Sequence, residues 1–338
     1  MPKHREIHFV KTPTGLPDSS CFRLVDAPVP QPGPGQVLAR THYLSIDPYM
    51  RRMMAGGHGY ATPLQPGNLM VGRGVGIVVE SRHPDFAPGD AVQSEFGWRE
   101  HAVLDGTGLR LVPADLRPLS LSLGIVGQSG ATAWVGLHDV GRIKAGETVV
   151  VSAAAGAVGS AVGQIAQLEG CRAVGIAGGP AKCRHVVQEL GFDACIDYKA
   201  PTFQQDLGAA LPGGVDIYFD NVGGEILDAA LRHINVGARI PLCGLISQYN
   251  TSEPRGIGHI GALLDKSATI QGFRIGTRLD RRDAALDRLM SWFREGRLRW
   301  RETVADGLEQ APAALVNMLT GGNVGKQIVR LAAAEGRQ

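Results

Sequence analysis

Val149-Val150-Val151-Ser152-Ala153-Ala154-Ala155-Gly156-Ala157-Val158-Gly159-Ser160-Ala161-Val162-Gly163 runs an apolar segment into a glycine-punctuated turn and then into small residues. The apolar part predicts a buried parallel strand and the small residues a helix. Between them, Gly156 lets backbone come close to a pyrophosphate, and Gly159 lets the helix sit tight on the strand. Free N–H groups at the helix start then face the phosphates. Ala154 stands where the usual fingerprint has its first glycine, so the reading rests on the strand before, the helix after and the unit that follows.

Outward from this stretch the chain alternates strand and helix. Arg172–Gly179 reads as a second strand and its end, Lys182–Leu190 as a helix, and Ala194–Tyr198 as a third strand. Val215–Asp220, Ala238–Cys243 and Ala268–Phe273 follow as the fourth, fifth and sixth. Six such strands with intervening helices make a doubly wound parallel sheet, a Rossmann α/β arrangement. Leu121 to Leu137 predicts a helical stretch leading into it. Before about residue 120 the period changes. Short alternating segments such as Val37–Tyr43 and Val75–Glu80, broken by Gly and Pro, predict an antiparallel barrel-like domain. The tail from Leu308 to Leu331 reads as a helix and a strand that return to complete it. The expected division is 1–124, completed by 302–338, and 125–301.

The 338 residues, 44% hydrophobic and 20% charged, fit two ordinary cores. A formal net charge of +2 excludes the broad basic field of sequence-independent nucleic-acid binders. Five cysteines far apart, with no C-x-x-C spacing, argue against a disulfide framework or a cysteine-rich zinc lobe. The first residues show no signal-peptide core, and no apolar run approaches membrane-spanning length. The expectation is a cytoplasmic protein acting on a small molecule, with neither nucleic acid nor membrane as partner.

The cofactor is read at the end of the second strand, where NAD-binding sheets carry an acid roughly 20 residues past the glycines. Here the chain has Ala177-Gly178-Gly179-Pro180-Ala181-Lys182, with no acid to repel a 2′-phosphate. Lys182 is placed to pair with one, which selects NADP. The competing account makes Lys182 a solvated residue in a first helical turn.

Several ordered segments resemble the zinc-independent medium-chain dehydrogenase/reductases, in particular the prostaglandin, alkenal and curcumin reductases. They are Leu44-Ser45-Ile46-Asp47-Pro48-Tyr49-Met50-Arg51, Ala154–Gly159, Gly178-Gly179 with Lys182-Cys183, Leu190–Asp193, Asp220–Gly224, Cys243–Asn250 and Gly322–Lys326. The resemblance spans nearly the whole chain. It implies a Rossmann domain beside a GroES-like catalytic barrel, and a homodimer formed through the last sheet strand near Ile270 and Phe273. It implies that the turn Ala155, Gly156, Ala157, Val158 and Gly159 holds the cofactor, with Gly178, Lys182 and Tyr198 at its 2′-phosphate end. Asn221, Cys243, Asn323 and the backbone of Phe273 fall nearer the nicotinamide. Tyr249 matches a tyrosine that assists the reaction, and Tyr49 one that lines the substrate pocket. Gln128-Ser129-Gly130-Ala131-Thr132-Ala133-Trp134 departs from the usual Met-Pro-Gly-Leu-Thr-Ala-Tyr beside the nicotinamide, so substrate preference transfers less directly than cofactor binding.

Zinc-dependent relatives carry a Gly-His-Glu segment where this chain has Gly72-Arg73-Gly74, and no His spacing suggests a ligand set. No metal is expected. A zinc ion stabilises an alkoxide in carbonyl reduction. Lacking its ligands, the chain suits conjugate reduction of an α,β-unsaturated ketone or aldehyde, whose charge spreads into an enolate. The Tyr249 hydroxyl, with tyrosine's ordinary pKa near 10, is a donor at neutral pH and can hold that oxyanion. Packing of its loop is the competing role for Tyr249, and structural anchoring for Tyr49. Asn250 to Leu264, with Pro254 and three glycines, reads as either an active-site flap or a surface loop. Two other functions stand beside enone reduction: a quinone reductase on the same cofactor site, and a cofactor-binding protein with little catalysis.

Overall fold

The computed structural model describes residues 2–56, 63–251, 253 and 255–331. Pro254 of the expected flap, and Met1 and 332–338 of the expected first domain, lie outside the described residues. The chain forms two compact units, residues 1–123 with 302–338, and residues 124–301.

The first unit opens with β1 (Lys3–Phe9) paired antiparallel to β2 (Phe22–Pro28). β3 (Gln36–Ser45) leads through Ile46-Asp47-Pro48 into the short helix α1 (Tyr49–Met54). β4 (Arg73–Ser81), β5 (Ala91–Glu95), β6 (His101–Asp105) and β7 (Arg110–Leu111) add antiparallel neighbours. Alternation in these strands buries one face, and Phe9, Leu44, Ile46, Met50, Phe96 and Trp98 fill the core beneath it.

The second unit begins with α2 (Gln128–Val135), which continues into a π-helical turn at Gly136–Val140. Its strands are β8 (Thr148–Ser152), β9 (Arg172–Ala177), β10 (Ala194–Asp197), β11 (Val215–Phe219), β12 (Ile234–Leu242) and β13 (Thr269–Gly272). The helices between and after them are α3 (Ala157–Leu168), α4 (Pro180–Gln188), α5 (Phe203–Ala210), α6 (Gly224–Leu231), α7 (Gly261–Asp265) and α8 (Leu279–Arg294). The sheet is parallel, in the order β10-β9-β8-β11-β12-β13. The strand order reverses between β8 and β11, the place where open α/β sheets bind ligands at the carboxyl ends of their strands. Six strands are therefore where the apolar runs put them. β12 starts four residues earlier than its apolar run, at Ile234, because pairing with β11 at Val215 draws in a polar segment that alternation does not mark.

The chain then returns to the first unit as β14 (Glu302–Asp306), α9 (Ala311–Leu319) and β15 (Lys326–Arg330). β15 pairs antiparallel with β3, while β14 and β15 are parallel through the α9 crossover, one exception to the antiparallel pattern. No helix among the described residues is long and apolar enough to cross a membrane.

Candidate active site

The turn after β8 shows why small residues are required. Ala153 takes a positive φ of 52°, and its carbonyl accepts the Gly156 N–H at 2.8 Å. A Cβ on Gly159 would stand 2.3 Å from the same carbonyl oxygen, a distance that backbone cannot yield without moving α3. No side chain caps α3 at Gly156, so first-turn N–H groups are available to an anion. Ala155 is buried, and Ala157 and Val158 form the first helical turn.

At the end of β9 the gap left by Gly178 is occupied from the next strand. A Cβ there would lie 2.8 Å from Tyr198 Cε1, 3.0 Å from its hydroxyl and 3.1 Å from Lys199 Cε. Lys182, in the first turn of α4, is half-buried, and burial followed by the charge of Lys199 holds its pKa below the usual lysine range. Lys199 Nζ lies 5.9 Å from the centre of the Tyr198 ring. Tyr198 and Lys199 thus lie against Gly178, with Lys182 close enough to Lys199 to feel its charge. Lys199 escaped the sequence reading; its signal was adjacency to Tyr198 and nothing more. Asp197 of β10 braces this turn. Its Oδ1 is taken up by the backbone N–H groups of Gly179 at 2.7 Å and Lys199 at 2.9 Å.

Beyond β11 a buried carboxylate organises the next turn. Asp220, fully buried, accepts bonds from Ser152 Oγ and the Tyr218 hydroxyl, each at 3.0 Å, and from the N–H groups of Val222 and Gly223. Burial raises its pKa, and the four donors only partly oppose that. Ser152 also accepts the Asn221 N–H at Oγ and the Asn221 Nδ2 at its carbonyl, both at 2.9 Å. Asn221 is therefore held at backbone and side chain. Neither Asp220 nor Ser152 was singled out as a site residue, since their link joins positions 68 apart.

The turn after β12 is stitched to that one. Cys243 N–H donates to the Asp220 carbonyl at 2.8 Å, and the Ser247 hydroxyl donates to the Val222 carbonyl at 2.6 Å. The Tyr249 hydroxyl accepts the Leu245 N–H at 3.2 Å, which fixes the phenol oxygen against its own turn. A Cβ on Gly244 would stand 3.4 Å from that oxygen. Burial, with the Asp220 carboxylate adding to it, pushes the Cys243 thiol up to about 12, so the sulfur stays protonated. The Phe273 ring is buried edge-to-face on Phe219 at 6.0 Å, while its N–H reaches the Leu242 carbonyl. Any cofactor contact of Phe273 falls to its backbone. Trp134, at the departure from the usual motif, stacks on His138 at 4.1 Å with the Arg281 guanidinium 5.3 Å from its ring.

In the first unit, Tyr49 opens α1 and is half-buried. Lys326, buried at the start of β15, donates to the Ile46 carbonyl at 2.8 Å and to Asp47 Oδ1 at 2.7 Å. The Ser45 hydroxyl donates to the other Asp47 oxygen. Asn323 donates to the Gly325 carbonyl at 2.8 Å. Lys326 therefore ties the Asn323 turn to the loop that presents Tyr49, a link between residues 279 apart. Arg73, in the segment compared above with Gly-His-Glu, pairs with Glu95 at 2.9 Å. Among the described residues no group of three or more His, Cys, Asp or Glu side chains is placed to hold a metal ion.

Two family models match the chain: an oxidoreductase N-terminal domain over residues 5–112 and a zinc-binding dehydrogenase domain over residues 157–291. The NADPH-dependent curcumin reductase of Escherichia coli is 44% identical over 336 residues, covering 98% of this chain and 97% of the relative. The chain is a medium-chain dehydrogenase/reductase. Prostaglandin reductase 1 of Rattus norvegicus is 43% identical, with 94% of this chain and 95% of the relative aligned. The crystal structure of CurA in complex with NADPH from Vibrio vulnificus superposes with a TM-score of 0.92 at 42% identity, covering 97% and 99% of the two chains.

Proposed function

We propose that the protein is an NADPH-dependent reductase of the carbon–carbon double bond in α,β-unsaturated ketones and aldehydes. The packing of Tyr198 and Lys199 against Gly178, with Lys182 close enough to Lys199 to feel its charge, carries the cofactor half of this reading. Lys182 feels the charge of Lys199, and an anion such as a 2′-phosphate offsets the repulsion between the two ammonium groups. The uncapped turn at Gly156–Gly159 fits a pyrophosphate. The names of relatives more than 40% identical over nearly the whole chain support the reaction.

When bound, NADPH supplies the hydride that the β-carbon of the enone accepts. The chain's own part is to receive the charge that collects on the carbonyl oxygen. Tyr249, its oxygen fixed by the Leu245 N–H, supplies a hydroxyl for that purpose. A donor prearranged in this way lowers a barrier by about 2.7–4 kcal/mol. Asp220 and Ser152 hold Asn221 at the nicotinamide end, and Lys326 and Asp47 hold the loop that carries Tyr49. In this reading residues 124–301 bind the cofactor, Tyr49 lines the substrate pocket, and Asn323 is a cofactor contact. β13 lies at the edge of its sheet, which supports a homodimer formed through that strand.

The test is loss of nicotinamide absorbance with a 2-alkenal, an aromatic enone, a quinone and a saturated aldehyde, each with NADPH, with NADH, and with a chelator. Chelator-resistant, NADPH-selective turnover of the alkenal and enone, with the saturated aldehyde inert, is the expected result. Turnover of the quinone alone replaces this reading with quinone reduction. Tight NADPH binding without turnover replaces it with a binding protein.

A further inference from the structure

Two thiols meet at the edge of the nucleotide-binding sheet, and the reduction described above does not use them. Among the cysteines, Cys21 and Cys171 are buried, and Cys243 is held protonated. Cys183 and Cys195 are both half-buried. Cys183 lies in the first turn of α4, and Cys195 lies on β10, the edge strand, in register with Gly175 of β9. A Cβ on Gly175 would stand 3.2 Å from Cys195 Sγ and 3.0 Å from Val186 Cγ1 of α4. The Cys195 sulfur therefore lies on the face of the sheet that α4 covers, and there it hydrogen-bonds to the Cys183 thiol.

The two sulfurs are unequal. The bond from Cys195 holds the Cys183 thiol below its usual range, against the smaller opposing effects of burial and Asp197. The same bond, with burial, pushes the Cys195 thiol up. Position separates their roles: Cys183 sits in the first turn of α4, whose uncapped N-terminus favours a thiolate, while Cys195 stands beside it on a strand, the arrangement of an attacking and a resolving cysteine.

We propose that Cys183 and Cys195 form an oxidisable dithiol that peroxide closes to an intramolecular disulfide. The Cys183 thiolate attacks one oxygen of hydrogen peroxide; the O–O bond breaks, hydroxide leaves, and Cys183 becomes a sulfenic acid. The Cys195 sulfur then gives up its proton and attacks the Cys183 sulfur. An S–S bond forms and the sulfenic oxygen departs as water. Two thiols lose two electrons, and one peroxide is reduced to two waters. Closing from hydrogen-bond separation to an S–S bond of about 2.05 Å draws the first turn of α4 towards β10. Lys182 precedes Cys183 in that turn. Oxidation therefore weakens NADPH binding, a consequence that rests on Lys182 being a phosphate contact.

The experiment exposes the full chain to stoichiometric hydrogen peroxide, followed by thiol counting, intact mass and peptide mapping. The expected result is loss of two of the five thiols, a mass decrease of two hydrogens, and a link between the Cys183 and Cys195 peptides that a thiol reductant removes. In Cys195→Ser, Cys183 instead stops at a sulfenic acid that dimedone traps. A link between other cysteines, or direct conversion of Cys183 to the sulfinic acid in the unaltered chain, overturns the proposal. These readouts do not depend on turnover, so they stand or fall apart from the enone-reductase reading. NADPH affinity of the oxidised protein, followed by cofactor fluorescence, is expected to fall severalfold and to recover on reduction. A linked protein with unchanged affinity overturns the coupling to Lys182.

Discussion

Replacing Lys182 by alanine separates NADPH from NADH. The ammonium is half-buried and its pKa is already depressed, first by burial and then by Lys199. A charge-assisted bond in such a setting contributes about 1.5–3 kcal/mol. At 1.4 kcal/mol per tenfold, Lys182→Ala raises the NADPH dissociation constant about 10- to 150-fold, while NADH, lacking the phosphate, moves little. Lys199 is exposed, so its pairing is screened and worth about 0.2–1 kcal/mol, a 1.5- to 5-fold effect. The two losses are not additive, because both cations meet one phosphate and removing Lys199 also lifts Lys182 back towards its usual pKa. There is a pH signature as well. A phosphate raises the depressed pKa of Lys182, so binding takes up protons, and NADPH affinity falls as pH rises through the depressed value of the free enzyme. NADH affinity stays flat over the same window. The assay is fluorescence titration of both cofactors against pH and salt. Equal losses for NADPH and NADH in Lys182→Ala, or an NADPH profile as flat as that of NADH, refute the assignment.

Tyr249→Phe removes the proposed donor and lowers turnover about 100-fold. It also loses the bond from Leu245, which costs about 1 kcal/mol of stability, so cofactor affinity and melting temperature are measured alongside. Unchanged turnover with a lowered melting temperature reduces the residue to packing. Asp220→Asn leaves backbone or hydroxyl donors without an acceptor, at about 1–3 kcal/mol each, and lowers both stability and NADPH affinity. Because the Asp220 pKa is raised in the fold, its favourable contribution is complete below the ordinary aspartate value near 3.9 and is lost as pH rises through the raised native value. The unaltered protein thus carries a melting-temperature slope across that window that Asp220→Asn lacks, and parallel slopes contradict the assignment. Gly159→Val, whose Cβ meets backbone at 2.3 Å, displaces α3 and costs about 1–3 kcal/mol, with a matching loss of NADPH affinity in calorimetry; a variant that binds NADPH normally shows that the turn does not need the close approach.

Local chemistry made much of the fold legible before any coordinates. Buried parallel strands read as uninterrupted apolar runs, which is why β8, β9 and β11 fall where Val149–Val151, Arg172–Ala177 and Val215–Phe219 stand. The turn at Gly156–Gly159 was legible because steric demands there are met by residues adjacent in sequence. β14 was not, since Glu302–Asp306 is short, half-exposed and paired only through β15.

The sequence by itself determined the doubly wound parallel sheet of the second unit, the family, and the glycine-punctuated turn after β8. Each depends on neighbours within a few positions, where helix and strand periods and glycine sterics act directly. Tertiary structure decided what lies between such segments. It brought Lys199 to Lys182, Asp220 to Ser152, Lys326 to Asp47, and the Cys183 thiol to that of Cys195. A buried charge must find its partners wherever packing puts them, and that choice is made by strand order and register, which no local pattern records.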